Sequence, residues 1–235
     1  DLHYPLRRQR QMCIRDSYLA QDRPDINECT KELARHMQAP NEGDMQMLKR
    51  LGRYLKGKPR GVFRFKAQRM PKNLDIYVDS DHAGCPITRK TTGGFVINFG
   101  EHVIKTGSQM QSTISLSSGE SEFYQLVKGA AVGLSTQALL RDWGIELNIR
   151  VLSDSSAAKC FSSRRGLGKQ RHVQTRFLWL QERVAQKHLT IHKIAGESNH
   201  SDILTKAISR PTLEKHLATM NFHFLAGVSA KQKQI

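Results

Sequence analysis

The stretch Leu74-Asp75-Ile76-Tyr77-Val78-Asp79 reads as a short buried strand that closes on a carboxylate. An acid in that position is costly to desolvate unless it is paired or holds a cation. Three further acids stand in comparable settings: Glu122 near the start of a long helical stretch, Asp154 after Arg150-Val151-Leu152-Ser153, and Asp202 in Ser201-Asp202-Ile203-Leu204-Thr205-Lys206. They are so far apart in sequence that only a fold can gather them. Four such carboxylates suggest a divalent-metal site.

Working outward from Asp79, the pattern downstream is of strands followed by helices. Gly93 to Phe99 and His102 to Thr106 flank Gly100-Glu101 as a hairpin, and Ser112 to Leu116 alternates as a further strand candidate. Ser117-Ser118-Gly119-Glu120 matches a helix-capping pattern, after which Leu126, Ala130, Leu134 and Ala138 share one helical face until Gly144 ends it. Val151 and Leu152 mark another strand. Arg171 to Lys187 is predicted as a helix with Phe177, Leu178, Leu180 and Val184 inward, Leu189 to Ile194 as a strand, and a last helix starts near Ser201. The sum is an α/β fold with a five-stranded mixed sheet flanked by helices.

Upstream of Asp79, residues 28 to 56 read as a helical hairpin with apolar positions at Leu33, Met37, Met45, Met47, Leu48, Leu51 and Leu55, broken at Ala39-Pro40-Asn41-Glu42-Gly43. From Lys49 to Lys72 the chain is densely basic, with Tyr54, Phe63 and Phe65 interleaved. That run is either a solvated linker or a track for phosphates. The 235 residues carry a net charge of +16, which favours a polyanionic partner, nucleic acid first. Apolar runs are too short for a spanning helix and no amino-terminal signal pattern is visible, so the expectation is a soluble, intracellular protein without a membrane partner, cytoplasmic or nuclear. Cys13, Cys29, Cys85 and Cys160 form no Cys-x-x-Cys pair, which supports neither a zinc knuckle nor a disulfide framework.

Five stretches resemble the ribonuclease H domain of copia-type long-terminal-repeat retrotransposon polyproteins: Tyr77-Val-Asp-Ser-Asp-His-Ala-Gly84, Arg89-Lys-Thr-Thr-Gly-Gly-Phe95, Leu116-Ser-Ser-Gly-Glu-Ser-Glu-Phe-Tyr124, Ser153-Asp-Ser-Ser-Ala-Ala158 and Asp202-Ile-Leu-Thr-Lys206. Tyr18-Leu-Ala-Gln-Asp-Arg-Pro-Asp25 and Arg53-Tyr-Leu-Lys-Gly57 resemble the tail of the reverse transcriptase that precedes it. The resemblance implies a ribonuclease H-like domain over residues 73–222, an N-terminal helical appendage and basic linker from the reverse transcriptase over 18–72, and a basic tail over 223–235. Residues 1–17 stay unassigned, as a possible chimeric junction. Three positions depart from the family: His82 stands where Trp is usual, Gly119-Glu120-Ser121-Glu122 where Thr-Glu-Ala-Glu is common, and Gln174 replaces an acid after His172. No Tyr-x-Asp-Asp, protease or integrase signature occurs, as expected for a piece of a polyprotein.

The implied activity is endonucleolytic hydrolysis of the RNA strand of an RNA–DNA hybrid, with the element's own reverse transcriptase as partner. Carboxylates without Cys or His suit Mg2+, with Mn2+ as a substitute, and two ions can serve both the attacking water and the leaving oxygen. By resemblance Asp79 bridges the two ions, Glu122 and Asp154 complete one sphere, and Asp202 completes the other. Asp81 and Glu120 are the competing candidates for Asp79 and Glu122. Asp81 could instead cap the turn toward Gly84, and Glu120 the helix. Because Glu120 and Glu122 differ by about 200° around a helix, only one can point into the site. Lys56, Lys58, Arg60, Arg89, Lys90 and Arg171 are the candidates for nucleic-acid contact. His188 and His192 alternate as strand residues do, and His200 is a candidate for assisting product release.

Overall fold

The computed structural model describes residues 18–168 and 171–227. The suggested junction at 1–17 and most of the expected basic tail lie outside the described residues. Five strands form the main sheet: β2 (Asn73–Ser80), β3 (Thr92–Phe99), β4 (His102–Met110), β5 (Asn148–Ser153) and β6 (Leu189–Lys193), with β1 (Gly61–Phe63) elsewhere. Their order is β4-β3-β2-β5-β6. β2, β3 and β4 run antiparallel, while β5 pairs parallel with β2 and β6 parallel with β5. This is the five-stranded mixed sheet flanked by helices that the sequence predicts.

The central position of β2 follows from its side chains. Leu74, Ile76 and Val78 are fully buried and face α3 (Ser118–Asp142), the long helix that crosses the sheet. Helix and strand come so close that a Cβ on Gly129 would stand 2.4 Å from Val78 Cγ1. Glycine is therefore required there. The opposite face of the sheet carries a second core, in which Val96 and Val103 pack against Ile203, Leu204, Leu217, Met220 and Phe222.

The helical hairpin is present as α1 (Asn27–Arg35) and α2 (Glu42–Gly57), with Ile26, Leu33, Leu48 and Leu51 buried between them and Met47 left exposed. It is joined to the rest of the chain by more than a linker. β1 pairs antiparallel with β7 (Phe222–Phe224), across both expected boundaries, and the Arg23 guanidinium lies over the rings of Phe222 and Phe224.

Several local expectations differ. Ser112 to Leu116 is an irregular loop: its alternation points Ile114 and Leu116 to solvent and buries Ser115, which pairs with Thr91. No strand forms there; β4, predicted from His102 to Thr106, instead runs on to Met110. A helix, α4 (Ser156–Ser163), follows β5 without having been foreseen. The helix expected over Arg171 to Lys187 is a 3-10 turn, Thr175–Leu178, continued by α5 (Trp179–Ala185). Near Ser201 there is only another 3-10 turn, His200–Leu204, and α6 (Arg210–Thr219) begins after Ser209 caps it. Among the described residues no helix is long and apolar enough to cross a membrane.

Candidate active site

Three of the four predicted acids meet at one end of the central strands of the sheet. Asp79 lies at the end of β2 and Asp154 follows the end of the neighbouring parallel strand β5, so both carboxylates emerge on the same side. Glu122 reaches them from the first turns of α3. One ligand oxygen from each of Asp79, Glu122 and Asp154 lies within 4.8 Å of the other two.

The electrostatics of this cluster are unfavourable by construction. Asp79 and Glu122 are 3% and 9% exposed. Burial, and then the charge of Asp202, push the Asp79 carboxyl up from its ordinary value. Burial, followed by Asp79 and Asp154, pushes Glu122 up to about 8. Asp154 is raised by burial and by Asp79. Desolvation and like charge both disfavour the ionised form, and here they act together. Glu122 Oε2 is buried without a hydrogen-bond partner. A bound cation would answer both the repulsion and the orphaned oxygen.

Asp202 sits outside this group of three, on the His200–Leu204 turn, within reach of Asp79. The turn is seated by a gap in the sheet. Gly94 pairs with Asp79 in register, and a Cβ on it would meet Leu204 Cβ at 2.8 Å and Thr205 Cγ2 at 2.9 Å. Without that side chain the turn closes down, and Thr205 Oγ1 donates to Asp79 Oδ2 at 2.5 Å. The next residue, Lys206, places its Nζ 3.2 Å from Asp202 Oδ2. Thr205 and Lys206 belong to the Asp202 motif, but no pattern in the sequence assigns them these contacts.

The competing acids have other partners. Asp81 Oδ1 accepts the Thr92 backbone N–H at 2.5 Å, and its Oδ2 occupies the space a Cβ on Gly84 would need. It holds the turn. Glu120, only 2% exposed, accepts from Leu116 N at 2.9 Å, from the Tyr124 hydroxyl, and pairs with His172 Nε2 at 2.9 Å. Burial opposes its charge, but those donors hold its carboxyl below the usual value.

His200 does not open to solvent: it is 1% exposed, its ring centroid 3.9 Å from that of Tyr77 and tilted 44° to it, with both ring nitrogens unpartnered. Burial and then His216 lower its pKa to about 4. It is a core residue, and a part in product release does not fit its position. His188 and His192 flank and lie on β6, beside Arg183 and Thr190. Of the basic candidates, Lys56, Arg60, Arg89 and Arg171 are exposed and Lys90 half-buried. Arg89 and Lys90 lie in the loop between β2 and β3, at the end of the sheet where Asp79 stands, and Arg171 adjoins the His172 that pairs with Glu120. Lys58 differs, its ammonium lying 4.8 Å over the ring of Phe224.

No protein-family model matches the chain. Over 201 residues, 84% of its length, it is 27% identical to the retrovirus-related Pol polyprotein from transposon RE1 of Arabidopsis thaliana. It is 25% identical over 194 residues, 82% of its length, to the corresponding polyprotein from transposon TNT 1-94 of Nicotiana tabacum. The chain spans 14% of the length of each. Among solved structures, the foamy viral protease-reverse transcriptase in complex with RNA/DNA hybrid superposes over 87% of this chain and 27% of its own, with a TM-score of 0.50 at 13% identity. The chain is thus similar, over a short segment of them, to the retrovirus-related Pol polyproteins of transposons, and it shares its fold with part of the foamy viral protease-reverse transcriptase.

Proposed function

We propose that the protein is the nuclease segment of a retrotransposon Pol polyprotein and cuts the RNA strand of RNA–DNA hybrids endonucleolytically, leaving 5′-phosphate and 3′-hydroxyl ends. The observation that carries this reading is the convergence of Asp79, Glu122 and Asp154, buried or half-buried, with Glu122 Oε2 unpartnered. An acceptor set made only of hard oxygens suits Mg2+, or Mn2+ in its place. Glu122 and Asp154 would hold one ion, Asp202 a second, and Asp79 both. Two bound ions supply a nucleophilic water and stabilise charge at the leaving 3′ oxygen.

The chain's own residues orient these groups. Thr205 fixes the rotamer of Asp79 through its hydroxyl, and the buried first turns of α3 fix Glu122. Lys56, Lys58, Arg60, Arg89, Lys90 and Arg171 are the proposed contacts to the hybrid, reading phosphates and the 2′-hydroxyl rather than base edges. The hybrid bound in the foamy viral neighbour supports that substrate class. The element's own reverse transcriptase is the expected covalent partner, with residues 18–72 as its tail.

A catalytically silent hybrid-binding module is the alternative. It gives no reason to keep three mutually repelling carboxylates together in a desolvated place, an arrangement that costs stability. A labelled RNA–DNA hybrid incubated with the purified protein decides between them: cleavage of the RNA strand that requires Mg2+ or Mn2+ is expected. Binding without cleavage at any divalent-ion concentration would leave only the silent module.

A further inference from the structure

We infer that Lys206 is an internal cation of the metal site, its ammonium taking the place beside Asp202 and Asp79 that the second divalent ion must claim. The inference rests on the metal-dependent reading above and adds to it a difference between the two ion positions.

Lys206 Nζ lies 3.2 Å from Asp202 Oδ2, with half of the lysine side chain exposed and only a fifth of the aspartate's. Among the described residues no other cation is paired with Asp79, Glu122, Asp154 or Asp202. The pairing is a product of the site's own architecture. Thr205 is anchored to Asp79, the 3-10 turn closes through Thr205 N to Asp202 O at 3.2 Å, and Lys206 is thereby aimed back across the turn at the carboxylate four residues earlier. Its charge acts on Asp79, Asp202 and Asp154. Glu122 has no such compensation and keeps its orphaned oxygen.

The two halves of the site are therefore unlike. Where Asp79, Glu122 and Asp154 meet, no lysine or arginine among the described residues is ion-paired with any of the three carboxylates, and Lys206 and Lys193 act on Asp154 only from beyond pairing distance. Beside Asp202 a second ion meets an ammonium in carboxylate contact and is repelled by it until the side chain swings out. Half exposed, Lys206 is free to make that movement. The first ion should bind tightly and the second weakly, so that Lys206 sets the divalent-ion concentration at which the site fills.

The test counts ions rather than products. Mn2+ is titrated into wild-type protein, Lys206→Met, Lys206→Arg and Asp79→Asn, with free Mn2+ read by electron paramagnetic resonance. Wild type should show a tight step and a weak step. In Lys206→Met the weak step should tighten on the order of tenfold, the size of effect one charge at contact distance has on a carboxylate. Lys206→Arg, which keeps the charge, should stay near wild type, and Asp79→Asn should lose both steps. Without metal, Lys206→Met should melt at a lower temperature than wild type and recover the difference in Mn2+. Equal or weaker second-ion binding by Lys206→Met would overturn the role of Lys206 while leaving the metal site standing. A wild-type protein that binds no Mn2+ would overturn the metal-dependent reading, and the inference with it.

Discussion

Glu120 and Glu122 stand two residues apart on the same helix, both buried, and their surroundings are opposite. Glu120 is held by three donors from three segments: the loop before α3, Tyr124 on the helix itself, and His172 across the fold. Glu122 faces two other carboxylates with one oxygen unpartnered. The first carboxylate is satisfied by the protein, and the second is left for something else to satisfy. Burial alone does not separate a structural acid from a functional one. The separation comes from whether donors or like charges surround it.

The largest expected effect probes the unsatisfied side. Asp79→Asn or Glu122→Gln should lower the rate of hybrid cleavage by on the order of a thousandfold or more, about 4 kcal/mol of transition-state stabilisation. The melting temperature without metal should hold or rise: Asp79→Asn removes a charge that the cluster repels, and Glu122→Gln a carboxyl that the cluster keeps from ionising below about pH 8. A variant that keeps wild-type cleavage would remove that residue from the site.

Next comes the satisfied side. Glu120→Gln should leave the rate per folded molecule near wild type but cost about 1–3 kcal/mol in denaturant unfolding, since a buried group with three hydrogen-bond partners is weakened. A loss below about 1 kcal/mol would reduce Glu120 to an ordinary helix cap. Loss of cleavage with unchanged stability would transfer the functional role to it.

A smaller effect lies in pH. The folded pKa of Glu122, about 8, is above its ordinary 4.5, so the folded protein keeps a proton that the unfolded chain releases. Its contribution to stability is complete below pH 4.5 and is lost as pH rises to about 8. Glu120 has a lowered pKa and contributes in the opposite direction, more as pH rises. Comparing metal-free wild type with Glu122→Gln isolates the first term: wild type should lose melting temperature relative to the variant across that window and level off above it. Parallel curves would place Glu122 among satisfied acids.

The smallest effect concerns the surface around the cluster. Arg89→Ala or Arg171→Ala should weaken hybrid binding and flatten the slope of log affinity against log salt by about 0.7–0.9 for each phosphate the arginine neutralises. An unchanged slope would make that arginine part of a solvated face.

Much of the sheet was legible because its signals are local. The apolar run of β2, the Gly100-Glu101 hairpin and the cap at Ser117 each depend on neighbours a few residues away. What was misread depended on distant partners. Ile114 and Leu116 alternate as a strand would, yet they pair with no strand and stay exposed, while β4 holds the place beside β3 to Met110. Arg171 to Gln174 lies outside any helix, beside the His172 that is drawn to Glu120. β1 could not be read from three residues in a basic stretch, because its partner β7 lies at the other end of the chain.

The amino-acid sequence determined which carboxylates end strands or begin helices, and a buried run that closes on Asp79 carries that information in itself. Whether those carboxylates meet was decided by the tertiary structure: parallel pairing of β2 with β5, the approach of α3 over Gly129, and the space left at Gly94 for the Asp202 turn. It alone also decided that Glu120 has donors, that Glu122 has none for one oxygen, and that Lys206 lies on Asp202. The physical reason is that desolvation and Coulomb energy depend on distances between residues far apart in the chain, and sequence spacing does not contain those distances.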